Sequence, residues 1–199
     1  METIRGKTSL AMNGNELRDR LARYHHITLD LGTGDGRFVR TLAERCPERF
    51  AIGVDACREN LREHSRAGLP NMLFVIARAH ELPCEFEGLF SQVTINFPWG
   101  SLLEGLLAGN ARLMNGITSV SGPNTQLEIH LNSGALVEAG SNLENGTGTI
   151  YENLTQCGWD LKPPRSLDRD ILKRLPTTWA RRLAHGRDPR GLILCGRRA

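Results

Sequence analysis

Asp30-Leu31-Gly32-Thr33-Gly34-Asp35-Gly36 is the stretch on which the reading of the fold turns. Behind it, Ile27, Leu29 and Leu31 alternate in a short run that reads as a strand. Ahead of it, Phe38, Leu42 and Ala43 fall on one face of a helix that closes at Cys46-Pro47. Glycines between a strand and a helix permit a tight turn and let a ligand lie close to the backbone at the carboxyl edge of a sheet. Phe50, Ile52 and Val54 then form a second strand that ends at Asp55, 19 positions after Gly36. A carboxylate there can accept hydrogen bonds from both hydroxyls of a ribose.

The same alternation continues outward. Arg58 to Arg66 reads as a short helix, Met72 to Ala77 as a near-continuous apolar strand, and Leu89 to Phe97 as another. Leu102 to Leu113 reads as one helix and Gln126 to Leu131 as a strand. Helices over Leu167 to Leu175 and around Trp179 to Ala184 precede a last strand at Gly191 to Gly196. Strands alternating with helices predict an α/β fold with a mostly parallel central sheet and helices on both faces. Residues 1–24 form an N-terminal extension in which Ile4 and Leu10 flank Gly6-Lys7 as a short hairpin before a helix over Glu16 to Arg23. Gly134 to Thr149, rich in Gly, Asn, Ser and Thr, reads as a loop with one helical turn at Ala135 to Ala139. Neither an internal repeat nor a linker divides the chain, so one domain is expected over 1–199.

Composition narrows the class. Hydrophobic residues make up 40% and charged residues 24% of 199, the balance of an ordinary globular protein. The apolar runs fall short of the roughly 18 residues of a membrane helix, and Met1 to Leu10 lacks the apolar stretch of a secretory signal. Cys46, Cys57, Cys84, Cys157 and Cys195 are odd in number and contain no C-x-x-C pair, which argues against disulfides and zinc and for a reducing cytoplasm. From Arg165 to Ala199, ten basic residues stand against three acidic ones, leaving fifteen against nineteen in the rest. A basic end on a slightly acidic body suits an oriented approach to a polyanion, with 165–190 as the substrate-binding segment. A solvated basic helix without a partner has the same pattern.

The loop chemistry narrows it further. The spacing is G-x-G-x-G, with Arg37 where a dinucleotide fingerprint has its third glycine. Asp30 and Asp35 make the loop poor for phosphates and better for a cationic amino-acid tail. S-adenosylmethionine combines that tail with a ribose diol and has no phosphate. The D-x-G-x-G-x-G and distal Asp pattern resembles motif I of Rossmann-like class I methyltransferases. After the third strand, backbone amides of Ala79 or His80 are candidates for reading the adenine edge; a plain surface histidine is the competing reading.

A second site is written in aromatics. Asn96-Phe97-Pro98-Trp99-Gly100 ends the fourth strand, and Trp179 follows Pro176 in Thr177-Thr178-Trp179-Ala180-Arg181-Arg182. Large aromatics rimmed by arginines suit a base stacked between them, at roughly 1–3 kcal/mol per base, which offsets the cost of extruding a nucleotide. Core packing is the alternative for both, and the expectation for Trp159 at a strand start.

Taken together, His26 to Arg37, Ile52 to Leu61, Phe74 to Pro83, Phe97 to Leu103 and Thr178 to Arg187 resemble the aminoglycoside-resistance 16S rRNA methyltransferases of the Kam/Npm group, which modify N1 of adenine 1408. The F-P-W-G turn and the T-W-A-R-R-L-A-H-G-R run, in order, carry the specificity. The resemblance implies a flipped adenine between Trp99 and Trp179, with Phe97 and Pro98 in the same catalytic turn. It implies S-adenosylmethionine held by Asp30, Gly32, Thr33, Gly34, Asp55, Ala56, Ala79 and His80, with Phe97, Ser101 and Thr177 nearby. Arg182, Arg187 and Arg190, and Arg58, Arg62 and Arg66 on one helix face, would grip RNA phosphates. The implied partner is the 30S subunit with its 16S rRNA, and the expected enzyme is a cytoplasmic monomer without a metal. Asn96, His80 and the short segment after Arg66 depart from the group's pattern. Adenine N1 carries an in-plane lone pair, so attack on a sulfonium methyl needs no general base. Three other readings stay open: an adenine-N6 RNA methyltransferase, because Asn96-Phe97-Pro98-Trp99 has the shape of an N-P-P-aromatic turn; a non-catalytic RNA- or ribosome-binding protein; and a small-molecule methyltransferase, which the basic tail and the arginines beside Trp179 disfavour.

Overall fold

The computed structural model describes residues 1–186 and 188–199; Arg187, expected on the RNA side, lies outside the described residues. The chain opens with the expected hairpin, β1 (Glu2–Arg5) and β2 (Thr8–Ala11), turning at Gly6. Helix α1 (Gly14–Leu21) starts earlier than apolar periodicity indicates, because Asn13 and Glu16 close a capping box. Then come β3 (His26–Leu31), α2 (Arg37–Arg45), β4 (Arg49–Asp55), α3 (Arg58–Ser65), β5 (Met72–Ile76) and β6 (Phe90–Asn96). All but the first residue of β3 are buried, as a strand covered on both faces requires.

Two segments depart from the sequence expectation. Leu102 to Leu113 is two helices, α4 (Gly100–Leu107) and α5 (Ala111–Ser119). Gly109 takes a left-handed conformation between them, and the Asn110 side chain caps the second by accepting from the Arg112 and Leu113 amides. Strand β7 (Ser121–Asn132) follows, and the segment expected as a loop at 134–149 holds α6 (Ser133–Glu138), where the helical turn was expected, and the first half of α7 (Leu143–Gln156). Gly146 in α7 serves close packing and not chain freedom: a Cβ there would lie 2.5 Å from Leu136 Cδ2 on α6. The chain ends with β8 (Trp159–Leu161), β9 (Arg165–Ser166), α8 (Arg169–Arg174), α9 (Thr178–His185) and β10 (Gly191–Arg198).

The strands join one sheet in the order β2-β1-β5-β4-β3-β6-β7-β10-β8, with β9 also on β10. The five strands from β5 to β7 are parallel; the hairpin and the β8, β9, β10 group pair antiparallel at the two edges. Residues of α1, α4, α5 and α7 bury against one face, and Val39, Ala43 and Leu61 of α2 and α3 against the other. Trp159 is core, as its strand-start position predicts. Leu172, Ala180 and Ala184 of α8 and α9 form a separate cluster with Phe97 and Ile193, which fastens the basic segment to the end of β6. Among the described residues no helix is long and apolar enough to cross a membrane, and no group of three or more His, Cys, Asp and Glu is placed to hold a metal.

Candidate active site

The chain leaves β3 toward β4 on one side, while β6 pairs with β3 on the other, so the connections diverge at the carboxyl ends of β3 and β6. A crevice opens at such a switch point without any special side chain. Here it is a cavity of about 1280 Å³, running from the glycine loop to α9. A pocket for a single small-molecule ligand measures roughly 300–1,000 Å³. The cavity therefore has room for two reactants.

Its floor is the glycine loop. Gly32 has φ +71°, and a Cβ on it would lie 2.5 Å from Leu102 Cδ2, so only glycine fits this turn. The Asp55 carboxylate is already oriented by the backbone: Oδ2 accepts from the Gly34 amide and Oδ1 from the Cys57 amide, each at 2.8 Å. Each carboxylate oxygen accepts more than once, so capacity for a diol remains. The Arg37 amide at the start of α2 donates to Asp35 Oδ1 at 3.0 Å. This amide is one that a pyrophosphate would use, and an internal carboxylate holds it.

Asp30 is 1% exposed and still faces the cavity. Oδ1 accepts from Thr94 Oγ1 at 2.9 Å and Asn96 Nδ2 at 2.8 Å, and Oδ2 accepts from the Thr33 hydroxyl. Burial pushes its carboxyl up to about 6, against the downward pull of those three hydrogen bonds, and the Asp55 charge adds to the rise. Thr33 thus acts on Asp30. Ala56, Ala79, His80, Phe97, Ser101 and Thr177 also line the cavity, which brings the expected cofactor residues together.

The far end is aromatic. Phe97 is buried at φ +53°, a left-handed conformation that costs a non-glycine residue roughly 1–2 kcal/mol. Burying its ring against α8 and α9 is worth roughly 1.5–3 kcal/mol and holds the turn. Pro98 follows, and Trp99 emerges 40% exposed beside Trp179 at 39%. The two indoles are not packed in the core, as one reading had it. They stack on each other, centroids 5.4 Å apart and planes 12° from parallel. A base between them needs about 7 Å, twice the ~3.5 Å of carbon contact, so the pair has to part by a small movement. Arg182 lies over the Trp179 ring at 5.3 Å. Thr177 caps α9 by accepting from the Ala180 amide, and the Thr178 hydroxyl donates to Asp35. The helix carrying Trp179 is thereby tied to the glycine loop, a link across 143 residues that has no local signal in the sequence.

The arginines divide. Arg58 pairs with Glu2 and Arg62 with Glu59 at 3.0 Å, so two of the three on the α3 face have an acid beside them. Arg66 is exposed and packs its stem against Gly6 of the hairpin turn. Arg190 is gripped by Asp188 through both Nε and Nη2 at 2.8 Å, and a phosphate at this fork has to displace that carboxylate.

Sequence reasoning missed the role of Asn96 and the presence of His130. Asn96 is buried, with Nδ2 on Asp30 and Oδ1 on His130 Nδ1, both at 2.8 Å. The adenine-N6 reading needs this side chain for an exocyclic amine, and it is committed elsewhere.

Comparison with known proteins follows the same direction. The family model described as NpmA, 16S rRNA (adenine(1408)-N(1))-methyltransferase, matches residues 2–197. A protein of Escherichia coli named 16S rRNA (adenine(1408)-N(1))-methyltransferase is 28% identical over 205 residues, covering 94% of each chain. One of the same name from Streptoalloteichus hindustanus is 30% identical over 204 residues, again covering 94% of each. Among solved structures, the 16S rRNA methyltransferase KamB superposes with TM-score 0.90 at 27% identity over 100% of both chains. The aminoglycoside resistance methyltransferase NpmB1 superposes with TM-score 0.82 at 30% identity over 100% of this chain and 99% of that one. A W203A mutant of the Catenulisporales acidiphilia enzyme, solved with its cosubstrate SAM, superposes with TM-score 0.84 at 26% identity, covering 99% of this chain and 95% of that one. With a family model spanning nearly the whole sequence and relatives matched end to end, the chain belongs to the 16S rRNA (adenine(1408)-N(1))-methyltransferase family.

Proposed function

We propose that this chain methylates N1 of adenine 1408 in 16S rRNA of the 30S subunit, with S-adenosylmethionine as donor, and thereby confers aminoglycoside resistance. The observation that carries the reading is the exposed, parallel Trp99–Trp179 pair at the mouth of a cavity whose other end is an acidic glycine loop. The loop fits S-adenosylmethionine: Asp55 is oriented for a ribose diol, Asp30 puts a carboxylate where a cationic amino-acid end would lie, and the α2 amide is closed to phosphate by Asp35. When bound, S-adenosylmethionine supplies a sulfonium methyl electrophile.

The chain's own work is placement. Adenine N1 presents an in-plane lone pair and loses no proton on attack, so no side chain has to act as a base. Trp99 and Trp179 accept the extruded base between their faces and keep water from it, while Pro98 and the buried Phe97 fix the angle of Trp99. The product base is cationic, and indole faces favour it through their quadrupoles. Arg66, Arg182 and Arg187 supply phosphate contacts, with Arg58, Arg62 and Arg190 joining where the RNA displaces their acidic partners. A methyl group and a charge on the decoding-site adenine obstruct aminoglycosides.

Incubation with unmodified 30S subunits and S-adenosylmethionine, followed by reverse transcription, tests this. A cofactor-dependent stop one nucleotide 3′ of adenine 1408 is expected, because the N1 methyl blocks pairing. Methyl incorporation without a stop overturns the N1 assignment, and no incorporation overturns the enzyme reading.

A further inference from the structure

Asn96 and His130 form a buried polar bridge between two parts of the site, and the methyl-transfer reading gives it no role. The register of β3, β6, β7 and β10 lines up Asp30, then Thr94 and Asn96, then Glu128 and His130, then Cys195 across one face of the sheet. At one end of this row Asp30 faces the cofactor half of the cavity. At the other, Glu128 is partly exposed beside Cys195, where Arg165 also approaches.

His130, 2% exposed, holds the base-gripping turn in three ways. Its carbonyl accepts from the Phe97 amide at 2.9 Å. Its ring lies against the Phe97 ring, centroids 5.8 Å apart and planes 27° from parallel. Its Nδ1 meets Asn96 Oδ1 at 2.8 Å, on the residue just before the left-handed Phe97. The protonation pattern follows from the partners. An ionised Asp30 is an acceptor only, so Asn96 must turn its NH2 toward it and its oxygen toward His130. That oxygen needs a donor, which places the ring proton on Nδ1. Nε2 then presents a lone pair to Glu128 Oε1 at 3.3 Å, and this contact is attractive only with a proton between them. Burial pushes His130 down to about 4, which keeps the imidazole neutral, and burial raises the Glu128 carboxyl, the direction that favours a proton on it.

We propose that His130 is a positioning residue for base capture: in its Nδ1–H tautomer it locks Asn96 between Asp30 and β7 and holds the Phe97-Pro98-Trp99 turn in register with the cofactor floor. The bridge makes the stacking platform and the methyl-donor site one rigid unit across β3, β6 and β7. The proposal rests on the methyl-transfer reading, and its test separates the two.

The variants are His130→Phe, which keeps a ring against Phe97 but cannot donate, and Asn96→Leu with His130→Phe, which removes both members of the bridge. Turnover is measured with 30S subunits and S-adenosylmethionine, and cofactor affinity by calorimetry. His130→Phe lowers kcat by about tenfold or more while the cofactor Kd stays within about threefold, because Thr33 and Thr94 still hold Asp30. Adding Asn96→Leu removes the orphaned amide oxygen and recovers stability, but kcat stays low, because the link from Asp30 to β7 is still broken. A single-variant kcat within about threefold of wild type, an equal loss of cofactor affinity, or a double-variant kcat restored to within about threefold of wild type overturns the proposal. Inactive wild-type protein overturns the functional reading instead. A measurement that needs no folded variant stands beside these: nitrogen NMR of wild-type histidines between about pH 6.5 and 8, from the midpoint of free histidine titration upward. One neutral ring with the proton on Nδ1 and an unprotonated Nε2 is expected, and its absence overturns the proposal whatever the kinetics show.

Discussion

Asp30→Asn tests whether the cofactor floor carries a buried, ionised carboxylate at neutral pH. Burial raises the Asp30 pKa from 3.8 to about 6, which corresponds to about 3 kcal/mol of differential interaction between its protonated and charged forms. The direction is opposite to that of an acid in a salt bridge. Because the folded-state value lies above the unfolded one, the stabilisation belongs to the protonated carboxyl. It is fully present below about pH 4 and is lost as pH rises through about 6. The substituted amide has no such titration, and it suits the site: its oxygen, in the place of Oδ1, keeps Thr94 and Asn96, and its nitrogen, in the place of Oδ2, donates to the Thr33 hydroxyl. The variant therefore gains on the wild type by about 3 kcal/mol between pH 4 and 7, read as the difference between two urea unfolding curves at each pH. Taking the difference cancels Glu128 and His130, which titrate in both proteins. Calorimetry gives the functional counterpart. S-adenosylmethionine binds the wild type more tightly as pH rises through about 6, and Asp30→Asn loses that step. A stability difference that stays flat within about 1 kcal/mol over this range refutes the reasoning.

Three further outcomes are expected. Trp99→Ala and Trp179→Ala each abolish most methyl transfer with cofactor affinity kept, and either one removes the exciton couplet that two indoles 5.4 Å apart give in near-ultraviolet circular dichroism; parallel loss of cofactor binding contradicts this division of roles. Arg66→Ala and Arg187→Ala each lower the salt slope of 30S binding by about one, and Arg58→Ala, beside Glu2, lowers it by less, as salt titrations of binding will show. Gly32→Ala destabilises by about 1–2 kcal/mol for its left-handed backbone alone, with more from the approach of Leu102, in denaturant unfolding.

What the sequence made legible was local. A strand, three glycines and an acid 19 positions later specify the cofactor end because one βα turn and one register step place them. Trp99 and Trp179 were legible as a candidate pair because Pro98 and Gly100 flank the first and Arg181 and Arg182 follow the second. The loop expected at 134–149 failed because composition does not separate a glycine that frees the chain from one, like Gly146, that lets two helices close. The acidic partners of the arginines were illegible for a related reason: Asp188 sits two residues from Arg190 and was counted as charge, not as a clamp on the guanidinium. Glu2 reaches Arg58 across 56 positions, beyond any periodicity argument.

The bridge at Asn96 was illegible for a deeper reason, which also explains why its members belong together. A buried polar group imposes a demand on its neighbour that only water ends. Asp30, inside and facing a site for a cation, needs donors, and Thr33 and Thr94 supply two. Asn96 adds a third and lowers the cost of its charge, but brings an amide oxygen into the sheet. His130 satisfies that oxygen and exposes a second ring nitrogen to the interior. Glu128 faces that nitrogen and is the first member with substantial solvent contact, and the row can end there. Each step looks like a poor choice in isolation: an asparagine at a strand end, a histidine and a glutamate in a covered strand. Taken in order, each is dictated by the one before, so single substitutions along the row strand a partner and joint ones do not. Residues 34 and 66 positions apart are coupled this way, through adjacent strands and not through sequence.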